Sequence, residues 1–224
     1  MPMELSPLVK KLALQKTEIG GVPVHAGTLG DRRVVAIVTG MGTKLAKEGT
    51  EQLLDALPVE RVVVVGITGA VENETPIGTL ILPEVVVNSA TGAEYRPEPL
   101  ADGTPRGKMW TGDELLIDPD VLAELRGRGV VSLDMETAAI AESCEQRGIP
   151  WSVFRVISDR ASDGSVDEEV FGMSNQDGTP NTAKVARYFA KHPGRIPQMA
   201  RLAKGAKLAT KTAADAAIRA ARQV

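Results

Sequence analysis

The chain is poor in the residues that most often build reactive or cross-linked sites. Its 224 residues include one cysteine, Cys144, and two histidines, His25 and His192. A single cysteine excludes an intrachain disulfide and any cysteine-based cluster. Two histidines without HxxxH-type pairing leave little to ligate zinc, so neither a metal nor a cofactor is expected. Cys144 sits among small apolar residues, where a thiol is usually a small buried hydrophobe and not a nucleophile. The longest apolar runs, such as RVVVVGITGAV, fall far short of the roughly 20 residues that span a bilayer, and no basic-then-apolar leader opens the sequence. A cytoplasmic protein without stable membrane insertion is expected.

Positive charge is scarce over most of the chain. Residues 1–190 carry 18 basic and 28 acidic side chains, a balance of −10, whereas 191–224 carry 8 basic and one acidic, a balance of +7. An acidic body argues against nucleic acid as a partner, because phosphate binding needs a basic face. The alanine-rich tail, MARLAKGAKLATKTAADAAIRAARQV, places Lys204, Lys207 and Lys211 near one helical face with few large apolar residues opposite. That pattern favours a solvated or partner-packed helix over a membrane-surface one. We read 1–190 as one domain and 191–224 as its helical extension.

What is present in quantity is alternation. Short β-branched runs at Arg33–Val38, Arg61–Val65, Thr79–Val87, Gly129–Leu133 and Ser152–Ile157 read as strands. Helical patterns at Lys44–Leu57, Pro119–Arg126 and Glu136–Arg147 lie between them, with Thr182–Lys191 and Met199–Arg222 following. This is the signature of a three-layer α/β domain with a largely parallel sheet. A first helix at Leu5–Leu14 leaves no room for a strand before it. Residues Ala90 to Lys108 carry proline, glycine and charge without periodicity and read as a surface excursion.

Two stretches set carboxylates where charge is expensive. VVSLDMETAAIAESC brings Asp134 and Glu136 to a strand-to-helix junction among apolar and small residues. FRVISDRASD ends an apolar strand with Arg155 and Asp159, and the residues after Asp159, Arg160 to Gly164, begin no evident helix that it could cap. Three glycine-containing turns, TGMGTK (Thr39–Lys44), GITGAV (Gly66–Val71) and TGDE (Thr111–Glu114), follow strands, at the end where ligands sit in open α/β sheets. None has dinucleotide or phosphate-loop spacing.

Taken in order, GMG, GxxGAV, IGTLILP, TGDELL, LDMETAAIAESC and FRVISD are similar to the motifs of the nucleoside phosphorylase and nucleosidase superfamily over residues 34 to 160. Within it the chain most resembles the 5'-methylthioadenosine/S-adenosylhomocysteine nucleosidases. The resemblance implies a three-layer phosphorylase/hydrolase-like α/β fold with a central mixed sheet, a small-molecule nucleoside substrate, and a homodimer or higher homo-oligomer. It implies that Asp159 is the general acid protonating N7 of the departing purine and that Met135 and Glu136 bind the ribose. Arg155 organises the carboxylates, Thr68 and Gly69 line the sugar, Met41 lies near the 5' substituent, and Leu115 and Leu116 face the base. Glu4 matches the water-activating carboxylate by an MxxE spacing, with a helix-cap role equally open.

The chemistry explains the carboxylates. An oxocarbenium-like transition state develops positive charge on the sugar, and a purine leaves readily only if a proton arrives as the bond stretches. One carboxyl must therefore donate a proton while another grips hydroxyls as an anion; burial is expected to raise the first, and hydrogen bonds with Arg155 to keep the second ionised. Phosphorylases of the superfamily bind phosphate through an arginine and a serine at positions that here are Val64 and Ile67, and an aliphatic pair offers a phosphate dianion no donor. Hydrolysis is the favoured reaction. A phosphate-dependent phosphorylase and a non-catalytic nucleoside-binding protein stay as alternatives, as does a hopanoid-type adenosyl-lipid nucleosidase, suggested by the likeness of QDGTPNTAKVARYFAKHPGRIPQMARLAKGAKLA to the C-terminal region of those enzymes.

Overall fold

A computed structural model describes residues 1–100, 103–161 and 163–223. Ala101 and Asp102 of the Ala90–Lys108 excursion, Ser162 after Asp159, and Val224 at the end of the tail lie outside the described residues.

The chain opens with helix α1 (Pro2–Leu12), which Ala13 ends in the left-handed conformation. An antiparallel three-stranded sheet follows, built from β1 (Gln15–Ile19), β2 (Val22–Leu29) and β3 (Arg32–Ala36). Only the last overlaps a run expected from the sequence. β1, QKTEI, is exposed at four of its five positions, and β2 contains Pro23 and Gly27, so neither shows the apolar alternation that marks a strand.

The remaining elements are α2 (Thr43–Ala56), β4 (Val62–Ala70), β5 (Leu80–Ile81), β6 (Val85–Asn88), β7 (Glu94–Tyr95), β8 (Lys108–Thr111), α3 (Pro119–Gly127), β9 (Val130–Asp134) and α4 (Thr137–Gln146). They continue with β10 (Trp151–Arg160), α5 (Glu168–Phe171), α6 (Thr182–Lys191), a 3-10 turn at Pro193–Arg195, and α7 (Ile196–Ala221). Two expectations are corrected here. The run Thr79–Val87 is not one strand: it breaks around Pro83 into β5 and β6, which lie in different halves of the sheet. The glycines of GITGAV form no turn either, because Gly66 and Gly69 lie within β4.

The main sheet has the order β5-β10-β4-β9-β8-β6-β7. It is mixed, and its mixing has a simple plan. β4 and β10 run parallel, as do β6, β8 and β9. The two parallel blocks meet antiparallel at β4 and β9 over only two residue pairs, Gly69 with Leu133 and Ala70 with Ser132. The carboxyl ends of both blocks therefore converge at the middle of the sheet, the kind of switch point at which α/β folds bind ligands.

Each face of the sheet is covered by small-residue helices. On one side Val64, Met109 and Val153 pack against α4, where Ala138, Ala139, Ala141 and Cys144 are buried. On the other, Val65 and Val156 pack against Ala209 and Ala213 of α7, and Phe154 against Ala216, Ala217 and Ala220. Alternation along β4 sends Val64 to one face and Val65 to the other. The alanine-rich tail thus forms a packed layer through its carboxyl half, with α1 resting against it. Among the described residues no helix is long and apolar enough to cross a membrane.

Candidate active site

Arg155 is the hub of the convergence point. Its side chain is 5% exposed and carries three carboxylates: Asp134 Oδ2 at 2.7 Å, Glu136 Oε2 at 3.0 Å and Glu4 Oε1 at 3.4 Å. These come from β9, the turn before α4, and α1, elements far apart in sequence. The guanidinium also donates to the Ile67 carbonyl at 3.1 Å and to Thr137 Oγ1 at 3.3 Å. Burial works against the charged guanidinium, but Asp134, Glu136 and Glu4 more than offset it, so Arg155 holds its proton more tightly than a free arginine.

Glu4 lies in the first turn of α1 yet faces the sheet. Its Oε1 accepts the Ile67 N–H at 2.9 Å and its Oε2 pairs with the Met1 amino group. The helix-cap role left open by the sequence is therefore accompanied by a direct seat against the interior of β4. That seat exists because residue 66 has no side chain: a Cβ at Gly66 would overlap both the Glu4 carboxylate and the Arg155 guanidinium.

Glu136 occupies the N-cap position of α4 without a side-chain capping bond, and accepts the Gly42 N–H at 3.3 Å from the start of α2. The TGMG loop reaches it through Gly40 and Gly42, both at positive φ, a conformation glycine adopts freely. Here the expected electrostatics is only partly right. Burial dominates and raises the Glu136 carboxyl, Arg155 pulls it down, and Asp134 and Glu4 raise it again, leaving it pushed up to about 7. The guanidinium is divided among three carboxylates and does not hold this one fully ionised.

Asp159 belongs to β10 and is not beyond its end, as the sequence suggested. The register with β4 slips between Ile157 and Asp159, so Ser158 is an extra, bulged residue. Bulges of this kind re-aim the side chains beside them. Asp159 lies opposite Gly69, and Ser158 Oγ donates to Asp159 Oδ1. Burial raises the Asp159 carboxyl, the Ser158 hydroxyl works in the opposite sense, and Asp163 adds to the rise.

The other expected residues are distributed around this centre. Thr68 is buried at the seam between the blocks, where its hydroxyl donates to the Leu133 carbonyl at 2.7 Å. Met41 is half-buried, and its N–H donates at 2.8 Å to Gln176, so the segment between α5 and α6 rests on the TGMG loop. Met135 and Leu115 are also half-buried. Leu116 lines a cleft of about 580 Å³ bounded by Trp110, Asp113, Leu125, Arg128 and Asp134, beside the carboxylate cluster. Cys144 takes no part; burial pushes its thiol up to about 12, the state of an inert packing residue.

Two participants, Thr111 and Thr137, lie inside motifs noted in the sequence without a role assigned to them there. Thr111 Oγ1 donates to Asp134 Oδ1 at 2.5 Å, and Thr137 gives Asp134 both its N–H and its hydroxyl. The available signal was their position, one at the end of a strand and the other at the start of a helix, beside a carboxylate. Among the described residues no group of three His, Cys, Asp or Glu side chains is disposed to hold a metal ion.

A seven-stranded sheet of two opposed parallel blocks, with acidic side chains gathered on one arginine where they meet, defines an α/β protein with a site at its switch point. The sequence pattern of the phosphorylase superfamily matches residues 1–103 and 102–191, and the chain belongs to that superfamily. It is 28% identical over 208 residues to a 5'-methylthioadenosine/S-adenosylhomocysteine nucleosidase of Exiguobacterium sp., covering 78% of this chain and 87% of the relative. The corresponding protein of Geobacillus kaustophilus is 29% identical over 181 residues, covering 67% of this chain and 77% of the relative. Among solved structures, the Helicobacter pylori 5'-methylthioadenosine/S-adenosylhomocysteine nucleosidase complexed with a substituted pyrrolidin-3-ol superposes with a TM-score of 0.76 at 15% identity, covering 100% of this chain and 95% of that one. The futalosine hydrolase of the same organism gives a TM-score of 0.75 at 15% identity, with the same coverage. At this identity the structural likeness establishes the fold.

Proposed function

We propose that the protein is a nucleosidase that hydrolyses the N-glycosidic bond of a purine nucleoside such as 5'-methylthioadenosine or S-adenosylhomocysteine and releases adenine. Asp159 is the general acid: burial favours its protonated form, and its proton passes to N7 as the C1'–N9 bond breaks. Glu136 grips the ribose hydroxyls beside Met135, and those hydroxyls in turn favour its ionised form. Glu4 takes a proton from the water whose oxygen bonds to C1'. Thr68 and Gly69 flank the sugar, Met41 lies towards the 5' group, and Leu115 and Leu116 lie towards the base.

The observation that carries this reading is the seat of Glu4. The Ile67 amide and the Arg155 guanidinium, donors an anion would use beside the sugar, already hold its carboxylate. Val64 is buried in the core and offers nothing to phosphate. An acid on β10 and a base held against the neighbouring β4 suit water as the nucleophile. A homo-oligomer, a cytoplasmic location and a part in methionine salvage belong to the same reading.

Adenine release from methylthioadenosine, followed by absorbance with and without phosphate, tests it. Equal rates in both are expected, with Asp159→Asn and Glu4→Gln each lowering kcat by about three orders of magnitude or more while Asp159→Asn still binds nucleoside. Strict phosphate dependence would make the protein a phosphorylase, and near-normal turnover by Asp159→Asn would remove the acid from its role.

A further inference from the structure

The stretch that supplies Glu136 also supplies a carboxylate that the proposed reaction does not use. The side chain of Asp134 is 1% exposed, against 16% for Glu136 and 11% for Glu4. Its oxygens are fully engaged. Oδ1 accepts the Thr111 hydroxyl at 2.5 Å; Oδ2 accepts the Thr137 N–H at 3.1 Å and the Thr137 hydroxyl, and lies 2.7 Å from an Arg155 nitrogen. The two hydroxyls are themselves tied down. Thr137 Oγ1 accepts from Arg155 Nε at 3.3 Å, and Thr111 Oγ1 accepts the Ala138 N–H at 3.2 Å. Asp134 is thus built into the ends of β8 and β9 and the start of α4, whereas Glu4 and Glu136 approach the same arginine with more exposed side chains.

We infer that Asp134 is a positioning residue for the reaction: it fixes the Arg155 guanidinium and supplies a standing counter-charge, so that Glu4 and Glu136 can exchange protons and ligands without disturbing it. This inference rests on the hydrolytic reading above. During turnover Glu4 gains a proton while the sugar gains positive charge, and an arginine balanced only by Glu4 would then face a cation unscreened. With Asp134 in place, the arginine remains neutralised through that step, and the remaining carboxylate is free to face the sugar. The charged groups facing Glu136 are Arg155 from β10, Glu4 from α1 and Asp134 from the end of its own strand, with the Gly42 N–H from α2. Two of the three are negative, and Asp134 precedes Glu4 in raising the Glu136 carboxyl.

The test is Asp134→Asn, which keeps shape and removes charge. Expected results are a kcat about 100-fold lower with KM changed less than about threefold, as for loss of an interaction made in the transition state, and an acid limb of the pH profile displaced to lower pH. Titration of the Glu136 side chain by carboxyl ¹³C NMR should move to lower pH by about one unit, since a neighbouring negative charge is gone. A folded Asp134→Asn protein whose Glu136 titrates as in the wild type would overturn the inference, and so would unchanged kcat. Should that variant fail to fold, Thr111→Val is expected to lower kcat about 10-fold by freeing one side of Asp134, and Thr111→Ser to restore it; activity unaffected by Thr111→Val, or not rescued by serine, also overturns it. The NMR titration needs no turnover. A wild-type protein that releases no adenine would therefore defeat the hydrolytic reading while the effect of Asp134 on Glu136 is still measured.

Discussion

Gly66 shows how much of the site depends on an absent atom. In VVVVGITGAV it reads as the beginning of a turn, yet it lies inside β4 and leaves room for Glu4 and Arg155 to meet across the strand. Gly66→Ala is expected to lower kcat/KM on the order of 100-fold by displacing one of them, with a much smaller change in melting temperature, which turnover and thermal unfolding measured together would check. The carboxylates were legible because a buried charge in an apolar run is unusual and calls for a reason. The threonines that hold Asp134 lie inside the TGDELL and LDMETAAIAESC motifs, but their role was not legible, since only the fold brings Thr111 and Thr137 onto one carboxylate. Nor could the proton affinity of Glu136 be read from one neighbour: Arg155 suggested an ionised group, but that arginine serves three carboxylates at once.

At the scale of elements, legibility followed periodicity. The longer helices, β9 and β10 carry clear patterns and lie within a few residues of expectation, whereas β4 runs five residues past its expected end, β7 lies inside the expected excursion, and β8 and the short α5 were not expected. β1 and β2 lack such patterns, because a small exposed sheet needs no apolar alternation, and β5 and β6 merged into one run because Pro83 was the sole break in it. The β10 bulge is likewise invisible in sequence, although it sets Asp159 opposite Gly69. α7 makes a sharper test. Its alanines allow the helix backbone to approach β10 and β4 closely, and Ala213 is fully buried against Val156. Ala213→Leu should overpack this layer and destabilise the protein by about 1–3 kcal/mol, read from denaturant unfolding at unchanged m.

For the molecule as a whole, the raised carboxyls should make stability fall as pH rises towards neutrality. Glu136 is raised to about 7 when folded, above its value in the unfolded chain, so the folded state binds the extra proton between about pH 4.5 and 7. Its contribution is present below that window and is lost as pH rises through it, and Asp159 acts in the same sense. The ligand-free protein should therefore melt at a lower temperature at pH 7.5 than at pH 5.5, and Glu136→Gln should flatten that dependence; scanning calorimetry at the two pH values decides it.

The meeting of the two strand blocks has a consequence of its own. They pair at β4 and β9 over two residue pairs, backed by the Thr68 hydroxyl, the Val71 N–H on the Val131 carbonyl and the Arg155–Asp134 ion pair, while Asp159 stands on one block and Glu136 on the other. A molecule held by both would act as a staple across this short junction. Amide protons of Gly69, Ala70, Ser132 and Leu133 should then exchange with solvent more slowly once a tight nucleoside analogue is added, making the seam the place where occupancy is felt as rigidity.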